Sequence, residues 1–305
     1  MLSVPEGCSK DEFKANFPLG LRSTFRTGGN AECLFRPQTL QSLISFRQWN
    51  REQVQPQKEN LLGGLSNVLI RDGGLPGVTL TLTHLDTTPE WDEVAVLPGG
   101  LRNVVASLQA TERGLSGLEI LAGIPGTLGG AVAMNAGAEG WDISQSLVWV
   151  DVLTPEGHIK RVERASLPMT YRCGGLDPSW VVLRVALRLS ADSPENIQNR
   201  QLQFAKRRRE RVPLPPGVGT AGSTFKNPPQ GPKAWELIDS AGGRGLRRGG
   251  AVVSDVHTNY LLNDRGASAE DLELLGEEVR RRVAEAHGLM LEWEVRILGK
   301  EKVAL

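Results

Sequence analysis

The sequence predicts an α+β protein of more than one domain, and three observations carry that expectation. Short alternating runs of the strand type are mixed with amphipathic helical stretches, without the regular strand–helix alternation of a doubly wound sheet. At 305 residues the chain exceeds the roughly 250–300 at which one hydrophobic core usually stops growing. A composition shift near Asp192-Ser193-Pro194 opens a charged helical stretch that breaks at "VPLPPGVG", Val212 to Gly219, and a domain boundary is placed there.

The elements follow in order. Thr39 to Glu52 reads as an amphipathic helix capped by Thr39, with Leu40, Leu43, Ile44 and Phe46 as its apolar positions. Gly77 to Leu85 and the run "EVAVLPG" alternate as strands do. Leu101 to Gly114 reads as a helix with Leu101, Val104, Val105 and Leu108 on one face and Gly114 as its stop. "LVWVDVLTPEGHIKRVE" is a hairpin turning at Pro155-Glu156-Gly157. The final third holds a helix at "PKAWELIDSAGG", a strand at "TNYLLN", a long helix from Ser268 to His287 and a last strand, "MLEWEVRILG". The long helix starts at a capping box of Ser268 and Asp271, and repeats Leu272, Leu275, Val279 and Val283 on one face.

Composition excludes several function classes. Lys plus Arg and Asp plus Glu are both 35, so no overall field attracts nucleic acid or an anionic membrane. The basic run Lys206 to Arg211 lies in a helical segment with little aromatic interleaving and is expected to be a solvated face. Cys8, Cys33 and Cys173 are too scattered for a disulfide framework, and His84, His158, His257 and His287 form no ligand pair, so no metal is expected. Without a signal-like N-terminus or an apolar run of roughly 18–20 residues, the chain is expected to be a cytoplasmic, soluble protein.

The stretch "GIPGTLGGAVAMNAGAEG", Gly123 to Gly140, has six glycines among eighteen residues. Loops of this kind let a ligand approach bare backbone, and their exposed N–H groups make concave sites for phosphate oxygens. A second such stretch is Leu61 to Gly74, where Ser66 and Asn67 add side-chain donors after Gly63 and Gly64, as Thr127 and Asn135 do in the first. Tight turns at sheet corners would account for either stretch alone. A literal G-x-G-x-x-G at Gly217 to Gly222 lacks the strand before it and the helix after it that a dinucleotide-binding unit needs.

Seven motifs in order resemble the flavin-dependent UDP-N-acetylenolpyruvoylglucosamine reductases. They are "TFRTGGNAE" (Thr24 to Glu32), "GGLSNVLIRDGG", "GLEILAGIPGTLGGAVAMNAGAEG", "YRCG" (Tyr171 to Gly174), "AGSTFKNP" (Ala221 to Pro228), "HTNYLLN" (His257 to Asn263) and "LEWEVRILG" (Leu291 to Gly299). The resemblance implies a two-lobed FAD-binding domain of the vanillyl-alcohol-oxidase (PCMH) type over residues 1–193, with lobes of about 1–75 and 76–193. An α+β substrate domain over 194–305 would follow, its last strand free to return to the FAD region. FAD would be held by Gly63, Gly64, Leu65, Ser66 and Asn67, and by Gly123, Ile124, Pro125, Gly126 and Thr127 with Gly129, Gly130, Ala131, Asn135 and Gly137. NADPH would be the co-substrate, and UDP-N-acetylglucosamine enolpyruvate would be reduced to UDP-N-acetylmuramate for peptidoglycan.

The chemistry implied by the resemblance needs particular side chains. Adding hydride to the terminal carbon of a carboxylate-bearing enol ether leaves negative charge on the adjacent carbon and the carboxyl oxygens. Arg172 matches the family's catalytic arginine, and its fork suits a carboxylate. Glu294 matches the catalytic glutamate, which helps an anionic intermediate only when protonated. Ser223 matches the residue that returns a proton to the carbanion, with Lys226 three residues on. Tyr171, Lys226 and Asn227 are candidate substrate contacts, and Arg247 and Arg248 candidate phosphate binders. Trp293 stands where the family commonly has proline, and Gly243 where it commonly has an apolar residue. With only Tyr171 and Tyr260, the chain fits the shorter type that lacks an extra tyrosine loop, and it is expected to act as a monomer. A sugar-alcohol oxidase of the same superfamily would need no Ser223 and Glu294 pairing. A flavin-binding scaffold without catalysis would be yellow but would not turn over.

Overall fold

The computed structural model describes residues 4–215 and 217–302, so Met1–Ser3, Val303–Leu305 and Pro216, within the expected helix break, lie outside the described residues. The chain runs through β1 (Phe13–Phe17), α1 (Leu19–Arg22), β2 (Ala31–Phe35), α2 (Leu40–Glu52), β3 (Glu59–Leu61), β4 (Val68–Ile70), β5 (Leu75–Leu80) and β6 (Val94–Pro98). It continues with α3 (Asn103–Glu112), β7 (Leu115–Ser116), α4 (Leu128–Ala133), β8 (Gly137–Ala138), β9 (Trp141–Asp142), β10 (Leu147–Leu153), β11 (Ile159–Glu163), β12 (Val181–Arg188) and β13 (Ser190–Ala191). It ends with α5 (Pro194–Arg211), α6 (Ala234–Ser240), β14 (Arg247–Arg248), β15 (Ala251–Val253), β16 (Leu261–Asn263), α7 (Ala269–His287) and β17 (Arg296–Leu298).

The chain forms two compact units that interleave along the sequence. One holds the residues up to Lys14 with Cys33–Gly64 and Gly77–Arg207; the other holds Ala15–Glu32, Leu65–Pro76 and the chain from Arg208 onward. No single cut therefore separates them. A four-stranded sheet has the order β1-β2-β5-β3, and β1, β2 and β5 are strands along which the chain passes from one unit to the other.

The first unit is built on the antiparallel sheet β11-β10-β12-β6. The β10–β11 hairpin turns where the sequence places it, closed by the Thr154 amide on the His158 carbonyl at 2.9 Å. Asp151 on β10 faces Arg161 on β11 and Arg184 on β12, so one buried carboxylate ties three strands by cross-strand pairs. Val150, Val152, Val185 and Leu187 form the core on which α3 and α4 pack. α2 is capped by Thr39, whose hydroxyl accepts from the Ser42 amide at 3.1 Å, and buries Leu43 and Phe46 against Phe35. For α3 the buried face is Asn103, Ala106, Ser107 and Ala110, whereas Leu108 is half exposed. This corrects the face expected from its larger apolar residues. Small side chains let the helix approach its neighbours closely, and the bulky ones are left at the edge.

The second unit packs α6 and α7 with the sheet β14-β15-β16 around Phe225, Leu261, Leu272, Leu275, Val279 and Val283. α7 begins at the expected capping box of Ser268 and Asp271. Asp72 adds a second cap, its carboxylate accepting from the amides of Ala269 (3.1 Å) and Glu270 (2.9 Å). Arg71 makes a bidentate pair with Glu273 of α7, and β4 runs parallel to β17. Residues 65–76 are held to the C-terminal third by these contacts. The expected last strand is regular only over Arg296–Leu298; Leu291 to Val295 makes isolated bridges and turns instead. No helix follows Gly217–Gly222, where Gly219 pairs with Asn263. The Lys206–Arg211 end of α5 is exposed. Among the described residues no helix is long and apolar enough to cross a membrane, and no cluster of possible metal ligands occurs.

Candidate active site

In the first unit the two glycine-rich stretches lie against each other. A Cβ on Gly64 would stand 2.7 Å from the Gly126 Cα, and one on Gly63 would stand 2.5 Å from the Thr127 hydroxyl oxygen. Side chains are excluded here first by the protein's own main chain. Asn103, the first residue of α3, fixes the loop by donating its amide to the Gly126 carbonyl (3.0 Å) and its side chain to the Ile124 carbonyl (3.1 Å). Thr127 caps the short α4, accepting from the Gly130 amide at 3.4 Å, and Gly129 donates to the Gly99 carbonyl at 2.8 Å.

Gly130 is different. A Cβ there would meet only the Thr127 hydroxyl, at an ordinary 3.4 Å, although alanine suits a helix better than glycine by about 1 kcal/mol. Nothing inside this unit requires bare backbone at Gly130, so a flat ligand resting on the main chain fits the observation. Ala131 is buried beside it, and in the same loop Ile124 is half-buried and Pro125 exposed.

The same stretch supports the candidate arginine. Arg172 has φ +57°, the left-handed region, in a tight turn where Thr170 and Cys173 exchange backbone hydrogen bonds. A non-glycine residue held there stores roughly 1–3 kcal/mol of strain that its surroundings must override. They do so at several points. The Asn135 side chain donates to the Thr170 carbonyl at 3.1 Å and accepts from the Ser144 amide at 3.3 Å. The Gly174 amide donates to the Ala133 carbonyl at the end of α4, and an Arg172 guanidinium nitrogen donates to the Gly137 carbonyl at 3.3 Å. The guanidinium lies over the exposed Tyr171 ring, 5.2 Å from its centroid. Asn135 and Gly137, expected at a cofactor, thus also hold the arginine turn.

The second unit brings Ser223 and Glu294 onto adjoining backbone. Thr224, directly after Ser223, accepts at its carbonyl from the amides of Glu294 (2.8 Å) and Val295 (3.3 Å). The Lys226 amide donates to the Glu292 carbonyl at 2.9 Å, and Phe225 pairs with Trp293 in an isolated bridge. On the other side Ser223 pairs with Tyr260, whose ring lies 4.7 Å from His257. Burial pushes the His257 pKa below the ordinary histidine value, which favours a neutral ring. The Lys226 ammonium pairs with the exposed Glu292 at 3.2 Å, so its charge is shared with that carboxylate. The Asn227 side chain accepts from the Ala234 amide and starts α6. Ser66 and Asn67 belong to this unit: the Thr24 hydroxyl donates to the Ser66 carbonyl, and the Asn67 amide donates to the Glu294 carbonyl at 2.9 Å. Leu65 has φ +56° and accepts from the Thr24 amide. Arg247 pairs with Asp264 at 2.9 Å, while Arg248 is exposed.

Two residues that sequence reasoning left without a role matter here. Asn259 accepts from the Phe225 amide at 2.9 Å and donates to the Phe225 carbonyl at 2.8 Å, clamping the segment after Ser223 as a neighbouring strand would. Its place between His257 and Asn263, in the motif "HTNYLLN", is its signal in the sequence. Gly276 sits in mid-helix, and an isolated glycine in a strong helical pattern is itself a sign of close packing.

The bare-backbone platform and the strained arginine turn of the first unit fit a protein that binds a large planar cofactor; within the second unit a serine and a glutamate lie on adjoining backbone. Residues 31–163 match the family model described as "FAD binding domain", and residues 214–298 match "UDP-N-acetylenolpyruvoylglucosamine reductase, C-terminal domain". The class is that of the FAD-dependent oxidoreductases, with an α+β fold. A UDP-N-acetylenolpyruvoylglucosamine reductase of Granulibacter bethesdensis is 44% identical over 92% of this chain and 89% of the relative. One of Gluconobacter oxydans is 43% identical over 94% of this chain and 92% of its own. The crystal structure of UDP-N-acetylenolpyruvylglucosamine reductase (MurB) from Thermus caldophilus superposes with a TM-score of 0.78 at 32% identity, covering 94% of this chain and 98% of that one. The chain belongs to the UDP-N-acetylenolpyruvoylglucosamine reductase family.

Proposed function

We propose that the chain, a monomer in the cytoplasm, uses NADPH to reduce the enolpyruvyl double bond of UDP-N-acetylglucosamine enolpyruvate, giving UDP-N-acetylmuramate for peptidoglycan synthesis. Residues 1–193 would carry FAD-binding functions and 194–305 substrate-binding functions, with the compact units interleaved across that division. When bound, FAD would supply hydride, taken from NADPH, to the terminal carbon of the enol ether; Gly63 to Asn67, Gly123 to Thr127, Gly129 to Ala131, Asn135 and Gly137 are the residues that would hold it.

Arg172 binds the substrate carboxylate through two donors of its fork and stabilises the charge that develops there. Its left-handed turn, fixed by Asn135 and Gly174, aims a preorganised group that needs no rearrangement at the moment of reaction. Glu294, in its neutral form, donates a hydrogen bond to the same developing charge. Ser223 gives its hydroxyl proton to the carbon next to the carboxylate, forming the C–H bond and completing the reduction. Tyr171, Lys226 and Asn227 contact the substrate. The Lys226–Glu292 pair is exposed and therefore weak, so a substrate phosphate competes for the ammonium.

The observation that carries this reading is the hydrogen bond from the Glu294 amide to the carbonyl of Thr224, the residue after Ser223. It holds a candidate proton donor and a candidate acid on one rigid backbone pair. The test is an anaerobic titration of the yellow protein: NADPH should bleach it, and enolpyruvyl substrate should restore the colour. Ser223→Ala should bleach normally but recover about 10²–10⁴-fold more slowly, as when a general acid is lost. Recovery at the parent rate would remove Ser223 from its role.

A further inference from the structure

We propose that Trp293, seated in a notch that Gly276 opens in α7, is the positioning residue that fixes Glu294; the inference rests on the role assigned to Glu294 above.

Gly276 is buried in the middle of a helix of nineteen residues, where glycine destabilises relative to alanine by roughly 0.5–1 kcal/mol. Its neighbour explains it. A Cβ at this position would stand 2.5 Å from Cζ2 of Trp293 and nearer still to Cη2, so the indole occupies the space of the missing side chain. The indole N–H donates to Oε1 of Glu277, the next residue of α7, at 2.7 Å, which sets the rotation of the ring in its slot. Glu277 is in turn held by Arg280 at 2.6 Å, and the Arg280 Nε donates to the Leu291 carbonyl at 2.8 Å. The other side of the indole meets the fully buried Phe225, with ring centroids 4.8 Å apart.

Trp293 therefore touches α7 on one side and Phe225, in the segment that follows Ser223, on the other. Glu294 is the next residue. Its amide is tied to the Thr224 carbonyl and its carbonyl to Asn67, and a further constraint on its backbone comes from α7 through Trp293. A ring locked by shape and by one hydrogen bond sets the backbone from which the Glu294 side chain projects. Displacement of such a backbone by about 1 Å is enough to slow chemistry on the order of 10²-fold.

The test uses the FAD-loaded protein and follows reoxidation of reduced flavin by enolpyruvyl substrate in a single turnover, so that unfolded molecules do not contribute. Gly276→Ala evicts the ring and Trp293→Ala empties the slot; each should slow reoxidation by about 10–100-fold while bleaching by NADPH keeps its rate. Trp293→Phe, which keeps a ring against Phe225 but lacks both the atoms that fill the notch and the N–H that reaches Glu277, should remain slowed. Hydrogen exchange should rise in peptides covering Leu291 to Val295 in Trp293→Ala, while the buried core of α7 stays protected. If Gly276→Ala does not fold, Trp293→Ala and Trp293→Phe decide. Reoxidation at the parent rate in Trp293→Ala, with melting temperature lowered, would mean that the tryptophan is packing alone and would overturn the inference. Glu294→Ala, which removes the donor, separates the two claims: if it reoxidises normally, the role of Glu294 and the inference both fall, and if it is slow while Trp293→Ala is not, only the inference falls.

Discussion

Asn67 donates its side-chain amide to the carbonyl oxygen of Glu294 across 2.9 Å, while its own carbonyl accepts from Arg296 at 3.1 Å. One side chain from the first quarter of the chain thus closes the gap between β4 and the turn that carries Glu294. Asn67→Leu keeps the approximate volume but leaves the half-buried Glu294 carbonyl without this donor. It should lower stability by about 1–3 kcal/mol in urea titration. It should also slow flavin reoxidation by enolpyruvyl substrate more than flavin reduction by NADPH.

The glycines of the first unit separate packing from ligand approach. Gly64→Ala places a Cβ 2.7 Å from the Gly126 Cα, a clash with main chain that no rotamer relieves. It should both destabilise the unit and abolish retention of FAD. Gly130→Ala meets only the Thr127 hydroxyl at 3.4 Å and gains helix propensity of up to about 1 kcal/mol. It should melt no lower than the parent yet bind FAD more weakly, which fluorescence titration of the deflavinated protein would measure. Unchanged affinity would place the flavin away from Gly130.

Arg172 offers a substitution in which stability and activity part company. Glycine adopts φ +57° without strain, and that relief roughly offsets the 0.5–1 kcal/mol that glycine's extra backbone freedom costs. Arg172→Gly should therefore melt near the parent temperature. Its reoxidation by enolpyruvyl substrate should fall about 10²–10³-fold through loss of a preorganised charge. A parent-like rate would move the carboxylate-binding role elsewhere.

Glu119 begins a short helical turn, Glu119–Gly123, that leads into the glycine-rich loop. Burial raises its pKa, but Arg200 at 2.7 Å, the Gly117 amide at 2.8 Å and the Ser116 hydroxyl at 2.9 Å outweigh burial and hold it below the ordinary glutamate value. A carboxylate depressed in the folded state stabilises it above the unfolded pKa, and that contribution is lost as pH falls through the folded value. Glu119→Gln should therefore be less stable than the parent by about 1–3 kcal/mol near neutral pH. The difference should shrink as pH drops below about 4.5, the ordinary glutamate value, as urea midpoints across that range would record.

Local pattern alone determined much of this protein. The Ser268–Asp271 capping box and the Leu272, Leu275, Val279 and Val283 repeat mark α7, and Pro155-Glu156-Gly157 marks the hairpin, because caps, helical periods and turns depend on residues a few positions apart. The order of seven short motifs was enough to point to the family. Tertiary structure decided the rest. The interleaving of the two units, the buried face of α3, the bond between Asn67 and Glu294 and the fit of Trp293 into Gly276 all join segments distant in sequence. Such contacts depend on the shape and spacing of two surfaces at once, and no periodicity within either segment encodes the distance between them.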